Sequence, residues 1–499
     1  MSVPSTPPRL VLAAPDGELR DHPELEAVGV CGPEPVPIPR EDWIPVPDGS
    51  DLYTLPGRSP VGLDPADGEL AFLEPDEGDE VVDAAAAFLA PAWTRWHLPA
   101  YVTREAAPDL PLYAYAALGF ADDRFWTTGL RVDADVRQDP WTFDLDAIER
   151  SVVERVGDTE NRVLQQLSRC ALEYHCRAAQ NFFLARHEAP LPASVACNAQ
   201  CLGCISLQPD GEFRASHERL TRRVTPEEIA EVARLHWENV PDGVVSFGQG
   251  CEGEPLLEGE VLLESVKLMR AANPDGTIHL NSNASKPELV AAMADAGLDS
   301  LRISLNSVRP EVYEAYYRPR GYGFEQVAQS AREMRKRDKH VSTNLLYFPG
   351  VTDTPGELEL FAAFAQEVKL EMVQLRNLNV DPELYVLGMP EWAVEDGISC
   401  TDSGNFTGLK LDVSGLGSTL DFLRIKMKHT TQTSLDSSNI EAGLTEVYFL
   451  NTPISNIGKN NFNFYTPFNW DGTSNLLIEF SYKNNNVGTN STVSSNSLS

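Results

Sequence analysis

The chain has no apolar run long enough to cross a bilayer. Its first residues, Met-Ser-Val-Pro-Ser-Thr-Pro-Pro-Arg, lack the charged-then-apolar layout of a secretion signal, so a cytoplasmic protein with no membrane partner is the expectation. Basic charge is scarce: 40 Lys and Arg stand against 74 Asp and Glu, a formal charge of −34. Such an acidic surface repels phosphate backbones and disfavours nucleic acid as a partner. The one basic stretch, Arg332–His340, reads as the solvated end of a helix, where cations suit the dipole. Cysteine is sparse too, eight in 499 residues, three of them clustered and the rest scattered. That layout excludes a disulfide-stapled secreted scaffold and favours metal binding.

Three regions follow from the composition. Residues 1–190 are rich in Pro, Asp, Glu and Ala, with strand-like stretches at Leu112–Ala116 and Phe125–Thr128 and a helix expected from Leu164 to about Ala185. They read as an N-terminal α+β accessory domain. Residues 191–390 alternate apolar strands with amphipathic helices. The strands are expected near Ala193–Ala196, Val244–Phe247, Thr277–Leu280, Leu301–Leu305, Ser342–Phe348 and Met372–Leu375. Thr225, Ser285 and Thr354 each open an S/T-x-x-E capping-box pattern between strands. Six strand–helix repeats mean parallel βαβ units, wound as a doubly wound sheet or a barrel. In residues 391–499 proline nearly vanishes, leaving Pro453 and Pro467, while Asn and Ser dominate. Alternating stretches at Leu409–Val413 and Leu476–Tyr482 predict an antiparallel β-module. The abrupt shift fits either a graft from a differently biased coding sequence or a natural β-rich appendage.

Cys197, Cys201 and Cys204 form C-x3-C-x2-C just after the first strand of the βα series, where ligand-binding loops belong. Three thiols supply three ligands, whereas a closed metal site needs four. The nearest downstream histidine is His217, and no Cys-x-x-Cys or His-x3-His partner is visible. Zinc and merely structural thiols remain as alternatives, but the open position favours an iron–sulfur cluster with one iron unligated by protein. One βα unit later comes Gly248-Gln-Gly-Cys-Glu-Gly-Glu-Pro-Leu-Leu257, whose three glycines let backbone approach a ligand. Cys251 within it is a candidate for touching substrate or a radical, against the commoner role of a small buried residue. Cys170 and Cys176, six apart, do not share one helix face.

Together these motifs resemble the radical S-adenosylmethionine (radical SAM) enzyme family, which carries C-x3-C-x2-C after its first strand and Gly-Glu-Pro after its second. The resemblance covers about 191–380 and implies a partial (β/α)6 TIM-like barrel. It implies that Cys197, Cys201 and Cys204 ligate three irons of a [4Fe-4S] cluster, with S-adenosyl-L-methionine on the fourth. The backbone of Gly253, Glu254 and Pro255 would take the cofactor's ammonium. Ser304 and Asn306, on the fourth strand, would meet the ribose, and Gln374–Leu378 the adenine. The implied activity is reductive cleavage of S-adenosylmethionine to a 5′-deoxyadenosyl radical that abstracts hydrogen from an unknown substrate. A one-electron reductant such as a flavodoxin or ferredoxin is implied as partner.

Two departures stand out. The residue before the last cluster cysteine, usually aromatic in the family, is Gly203, and a full helix after the sixth strand is interrupted by Pro382 and Pro390. The tail around Phe468–Phe480 resembles β-modules of large secreted bacterial surface proteins, with Trp470 and an Asp471-Gly472 turn anchoring a hairpin. Auxiliary cysteine sets and the Asp-x-His-x-x-Gly motif of cobalamin domains are absent. Rival readings are a non-catalytic cluster carrier, which has no need of the Gly-Glu-Pro loop and would supply a fourth cysteine, and an inactive fusion with a truncated barrel.

Overall fold

The computed structural model describes residues 3–73, 81–207, 215–395, 405–415, 420–430, 444–452, 458–469, 475–481 and 492–493. Cys400, Trp470 and the Asp471-Gly472 turn lie outside them. Six strands run parallel in sequence order: β1 (Glu188–Pro190), β2 (Val244–Phe247), β3 (Thr277–Ser282), β4 (Ser300–Leu305), β5 (His340–Tyr347) and β6 (Met372–Asn377). Each is β-branched or apolar on one face, and each is followed by helical periodicity, so the crossovers pack as helices on that face. These helices are α1 (Pro226–Asn239), α2 (Gly259–Ala272), α3 (Pro287–Ala296), α4 (Pro310–Tyr317), α5 (Phe324–Lys336) and α6 (Pro355–Glu367). The result is the parallel half-barrel expected from the sequence. The register is regular: Ser246 pairs with His279, Asn281 with Arg302, Ser304 with Asn344, and Asn344 with Gln374.

The capping patterns divide three ways. Thr225 and Glu228 close a complete box at α1. At α6 Thr354 accepts from the Glu357 amide, but the Glu357 carboxylate is taken by Ser307 and Arg309 instead. At α3 the cap position falls on Lys286, because Ser285 is drawn off to Asn198.

Local signals also misplaced the first strand. It ends at Pro190, and Ala193–Ala196 is irregular. Pro192 has no N–H to give a ladder, and the Ala193 and Ser194 amides donate to the Glu252 carboxylate. The expected helix from Leu164 is two, Arg162–Leu172 and Arg177–Phe183, separated by His175 at φ 49°, a left-handed residue that stops an α-helix.

The N-terminal region, from Arg9 to Arg131, is an antiparallel sheet followed by the helix Leu145–Arg155. It joins the open edge of the half-barrel. The Asn377 side chain at the end of β6 accepts from the Arg95 amide at 3.0 Å and donates to the Trp93 carbonyl at 2.9 Å, imitating a strand partner. Beyond β6 come two short helices, α7 (Pro382–Gly388) and α8 (Glu391–Glu395), in place of one long one. Tyr385 of α7 is fully buried, its ring centroid 4.3 Å from that of Phe348. Coverage of β6 is incomplete: Met372 and Val373 remain 40% and 42% exposed. Among the described residues no helix is long and apolar enough to cross a membrane. Residues through Cys400 form one compact unit and Thr401–Ser499 another. In the second, Leu420–Thr430 pairs antiparallel with Thr445–Thr452 and Asn475–Ser481, and Asn405–Gly415 with Gly458–Asn469 and Thr492–Val493.

Candidate cofactor site

The loop after β1 and the loop after β2 are bonded backbone to backbone at the carboxyl end of the sheet. The Gly253 amide donates to the Ser194 carbonyl and the Glu254 amide to Ala196, both at 2.8 Å. A side chain at Gly253 would put its Cβ 1.9 Å from the Ala196 oxygen, so only glycine permits this approach. Glu252 completes the joint: its carboxylate accepts from Ala193, Ser194 and Gly248 amides at 2.8, 2.9 and 2.6 Å. Burial pushes its pKa up to about 8, against the pull of those three donors. The Glu254 carboxylate accepts from the Ser282 hydroxyl, the Asn283 amide and the Leu256 amide, which anchors the loop to the end of β3; burial raises its pKa as well. Pro255 opens the 3-10 turn Pro255–Glu258 and is buried.

The cysteine loop is held from its other side by α4. Gln200 and Leu202 amides donate to the carbonyls of Tyr317 and Tyr316, and Arg320 donates to Asn198. Asn198 in turn bonds Ser285 and Asn283. All three cysteines are half-buried, close enough to affect one another's ionisation. Burial raises Cys197 and raises Cys201 strongly. Cys204 differs: burial would raise it, but the Ser206 hydroxyl and the Arg219 guanidinium hold it below the ordinary thiol value. Its sulfur lies 3.6 Å from Ser206 Oγ and 3.4 Å from Arg219 Nη2.

Among the described residues no three Cys, His, Asp or Glu side chains stand close enough to share one ion. A cubic cluster asks less of them, because each sulfur meets a different iron. Three soft donors on one loop, with a cation and a hydroxyl beside one sulfur, suit such a group.

Gly203 has a neighbour in place of a side chain. Its Cβ position is 2.9 Å from the Tyr316 hydroxyl and 2.7 Å from the Asn379 oxygen. The ring of Tyr316, buried on α4, therefore fills the space beside the last cluster cysteine. Cys251 is buried against Cys170 of the helix Arg162–Leu172, and that thiol is the main reason its own pKa is raised. Ser304 lies on the inward face of β4, half-buried. Asn306 is fully buried just beyond it, and its Nδ2 donates to the Val312 carbonyl at 3.2 Å. Of Gln374–Leu378, the last two are engaged by the N-terminal sheet: Asn377 as above, and the Leu378 carbonyl by Arg95 Nη2 at 3.0 Å. The supporting residues Glu252, Arg219, Asn198 and Tyr316 were not singled out from the sequence. Only Glu252, inside the glycine-rich stretch, carried a signal.

Residues 191–362 match the family model of the Radical SAM superfamily. That segment, about a third of the chain, is thus similar to the radical SAM superfamily. It is 32% identical over 183 residues to a probable GTP 3′,8-cyclase of Thermococcus kodakarensis, covering 36% of this chain and 53% of that protein. It is 26% identical over 188 residues to the FeMo cofactor biosynthesis protein NifB of Azotobacter vinelandii, covering 35% and 36%. The chain thus spans about half, or less, of the length of these relatives. Among solved structures, Streptococcus suis SuiB bound to S-adenosylmethionine matches at 15% identity over 48% of this chain and 52% of its own, with a TM-score of 0.30. Methylornithine synthase matches at 18% identity over 47% and 70%, also with a TM-score of 0.30.

Proposed function

We propose that the protein reductively cleaves S-adenosylmethionine at a [4Fe-4S] cluster and abstracts a hydrogen atom from a substrate. The observation that carries this reading is the bonding of Gly253 and Glu254 to Ser194 and Ala196, immediately before Cys197. It sets a backbone platform beside the loop that carries the three thiols. In this reading Cys197, Cys201 and Cys204 hold three irons, and the strands' carboxyl ends supply the rest of the cofactor site. The Gly253–Pro255 backbone receives the cofactor's ammonium; the Glu254 carboxylate, committed to Ser282 and Asn283, fixes that backbone. Ser304, on the inward face of β4, meets the ribose, and Asn306 supports the turn into α4. Held by these residues, a reduced cluster would supply the electron for cleavage of the sulfonium bond to a 5′-deoxyadenosyl radical and methionine. The chain's own residues position, seal and tune. Arg219 and Ser206 favour the thiolate at Cys204, the form that binds iron. A flavodoxin or ferredoxin would deliver the electron.

The test is anaerobic reconstitution with iron and sulfide, then dithionite and S-adenosylmethionine, with 5′-deoxyadenosine measured by chromatography. Product is expected from the intact protein, and Cys201→Ala should lose both cluster absorbance and product. An intact cluster that yields no 5′-deoxyadenosine would overturn the reading.

A further inference from the structure

Strand alternation gives the half-barrel two faces of opposite character. One carries Val245, Ile278, Leu301, Ile303 and Val341 into the core against the helices. The other is polar and faces the hollow. Register stacks it in rungs: Arg302 with Ser342, then Ser304 with Asn344 and Gln374, then Leu346 with Arg376. Arg302 on β4 feels both Glu188 on β1 and Arg376 on β6. Alternation and register put Glu188, Arg302 and Arg376 on that same face. Two guanidinium groups therefore face the hollow from β4 and β6, with one rung of neutral polar side chains between them.

Neither arginine has an ion-pair partner among the described residues. Arg302 donates only its Nε, to Ser342 Oγ at 3.4 Å, and Arg376 makes no hydrogen bond there. Glu188 acts on both and Asp133 on Arg376, without an ion pair; Glu188 accepts instead from Gln249 Nε2 at 3.0 Å. Arg302 is half-buried and burial lowers its pKa, whereas Arg376, near the carboxyl end of β6, stays exposed at the mouth of the hollow. The rung between them is also unfinished: Asn344 Oδ1 and Gln374 Oε1 are buried without a hydrogen-bond partner. A native interior satisfies its polar groups, so two orphan amides between two unpaired guanidinium groups call for a ligand.

We propose that the hollow binds an oxyanion of the substrate, a carboxylate or a phosphate, between Arg302 and Arg376. The inference rests on the proposed radical chemistry for its meaning as a substrate site. Guanidinium groups match the two oxygens of such an anion bidentately. The amide oxygens of Asn344 and Gln374 then accept from hydroxyl or amine groups next to the anion. The substrate class is a small hydroxylated or aminated acid, or a phosphate ester. Its anionic end is drawn into the barrel and its reacting end left toward the carboxyl ends of the strands.

The test uses the full-length protein with its cluster reconstituted, under anaerobic conditions. Its unfolding midpoint is followed as inorganic phosphate, or separately acetate, replaces chloride at constant ionic strength. A saturable rise is expected, and whether phosphate or acetate gives it tells which anion fits. Arg302→Gln and Arg376→Gln should each need roughly ten- to a hundred-fold more anion, and Arg302→Lys should fall between. Iron content should be the same in all four proteins, and S-adenosylmethionine retention by equilibrium dialysis should be the same in the intact protein and the two Arg302 variants. No saturable response in the intact protein, or an equal response in the variants, overturns the proposal. So does loss of S-adenosylmethionine retention in Arg302→Gln, which would assign the guanidinium to the cofactor's own carboxylate. Failure to form 5′-deoxyadenosine would refute the radical reading while leaving the anion titration to stand or fall separately.

Discussion

Arg58 and Asp381, 323 residues apart, form a fully buried ion pair at 3.2 Å that joins the N-terminal sheet to the end of the half-barrel. Asp381 does three things at once. It pairs with Arg58, accepts from the Leu110 amide at 2.7 Å and caps α7 through the Glu383 amide at 2.9 Å. Arg58 Nη1 donates to the carbonyls of Pro56 and Pro108, while its buried Nε has no partner among the described residues. A buried charge stripped of its partner is far costlier than the pair is stabilising. Arg58→Met should therefore lower unfolding stability by about 3–5 kcal/mol, measured by urea denaturation. The double variant Arg58→Met/Asp381→Asn should lose less than the sum of the singles. Strict additivity would mean that the two parts are joined by packing alone.

Gly203 and Tyr316 make a second coupled pair. With Tyr316 in place, a larger side chain at 203 meets the Tyr316 hydroxyl and the Asn379 carbonyl. Gly203→Phe is thus an overpacking change costing about 1–3 kcal/mol, and it distorts the loop between Cys201 and Cys204. Iron per chain after reconstitution should fall, whereas Tyr316→Phe, which keeps the ring, should bind iron as the parent does. Full iron loading of Gly203→Phe would show that the space is not closed.

Glu252 supports the joint between the two cofactor loops through both carboxylate oxygens. In Glu252→Gln one arm presents an NH2 to a backbone N–H, so at least one buried donor loses its acceptor, at about 1–3 kcal/mol. The expected result is weaker cluster retention under chelator challenge, with the far-ultraviolet dichroism of the fold preserved. Retention equal to the parent would reduce Glu252 to a passive core residue.

How legible all this was depends on the range of the interaction. The half-barrel strands were readable because each apolar run is set by neighbours in sequence and by period. The C-x3-C-x2-C and Gly-Glu-Pro loops were readable for the same reason. What escaped is what depends on distant partners. Ala193–Ala196 has strand composition, yet its amides go to Glu252, 58 and 59 residues on. Ser285 has the spacing of a cap, yet its hydroxyl serves Asn198. Gly203 read as a missing aromatic ring, whereas Tyr316 of α4 brings one. The interrupted helix after β6 was visible as Pro382 and Pro390. That the N-terminal sheet would meet that edge through Arg58, Arg95 and Asn377 was not, because no local pattern encodes a contact across some 300 residues.

Asp353 gives a pH dependence whose sign can be worked out. It sits after β5, accepting from Tyr347 Oη at 2.9 Å and from the Gly350 amide at 2.7 Å. Burial outweighs these bonds and raises its pKa from 3.8 to about 6. The folded protein therefore holds this proton more tightly than the unfolded chain does. Its contribution to stability is complete below about pH 4 and is lost as pH rises through about 6, where a buried carboxylate must ionise. Asn at this position stays neutral at every pH, keeps an acceptor for Gly350 and offers Tyr347 a donor. The difference in melting temperature between Asp353→Asn and the parent should thus shift in favour of the variant from pH 4 to 6 and level off above. Taking the difference removes the other titrating groups common to both proteins. A difference that stays constant across that window would mean that Asp353 ionises in the folded protein as it does in water.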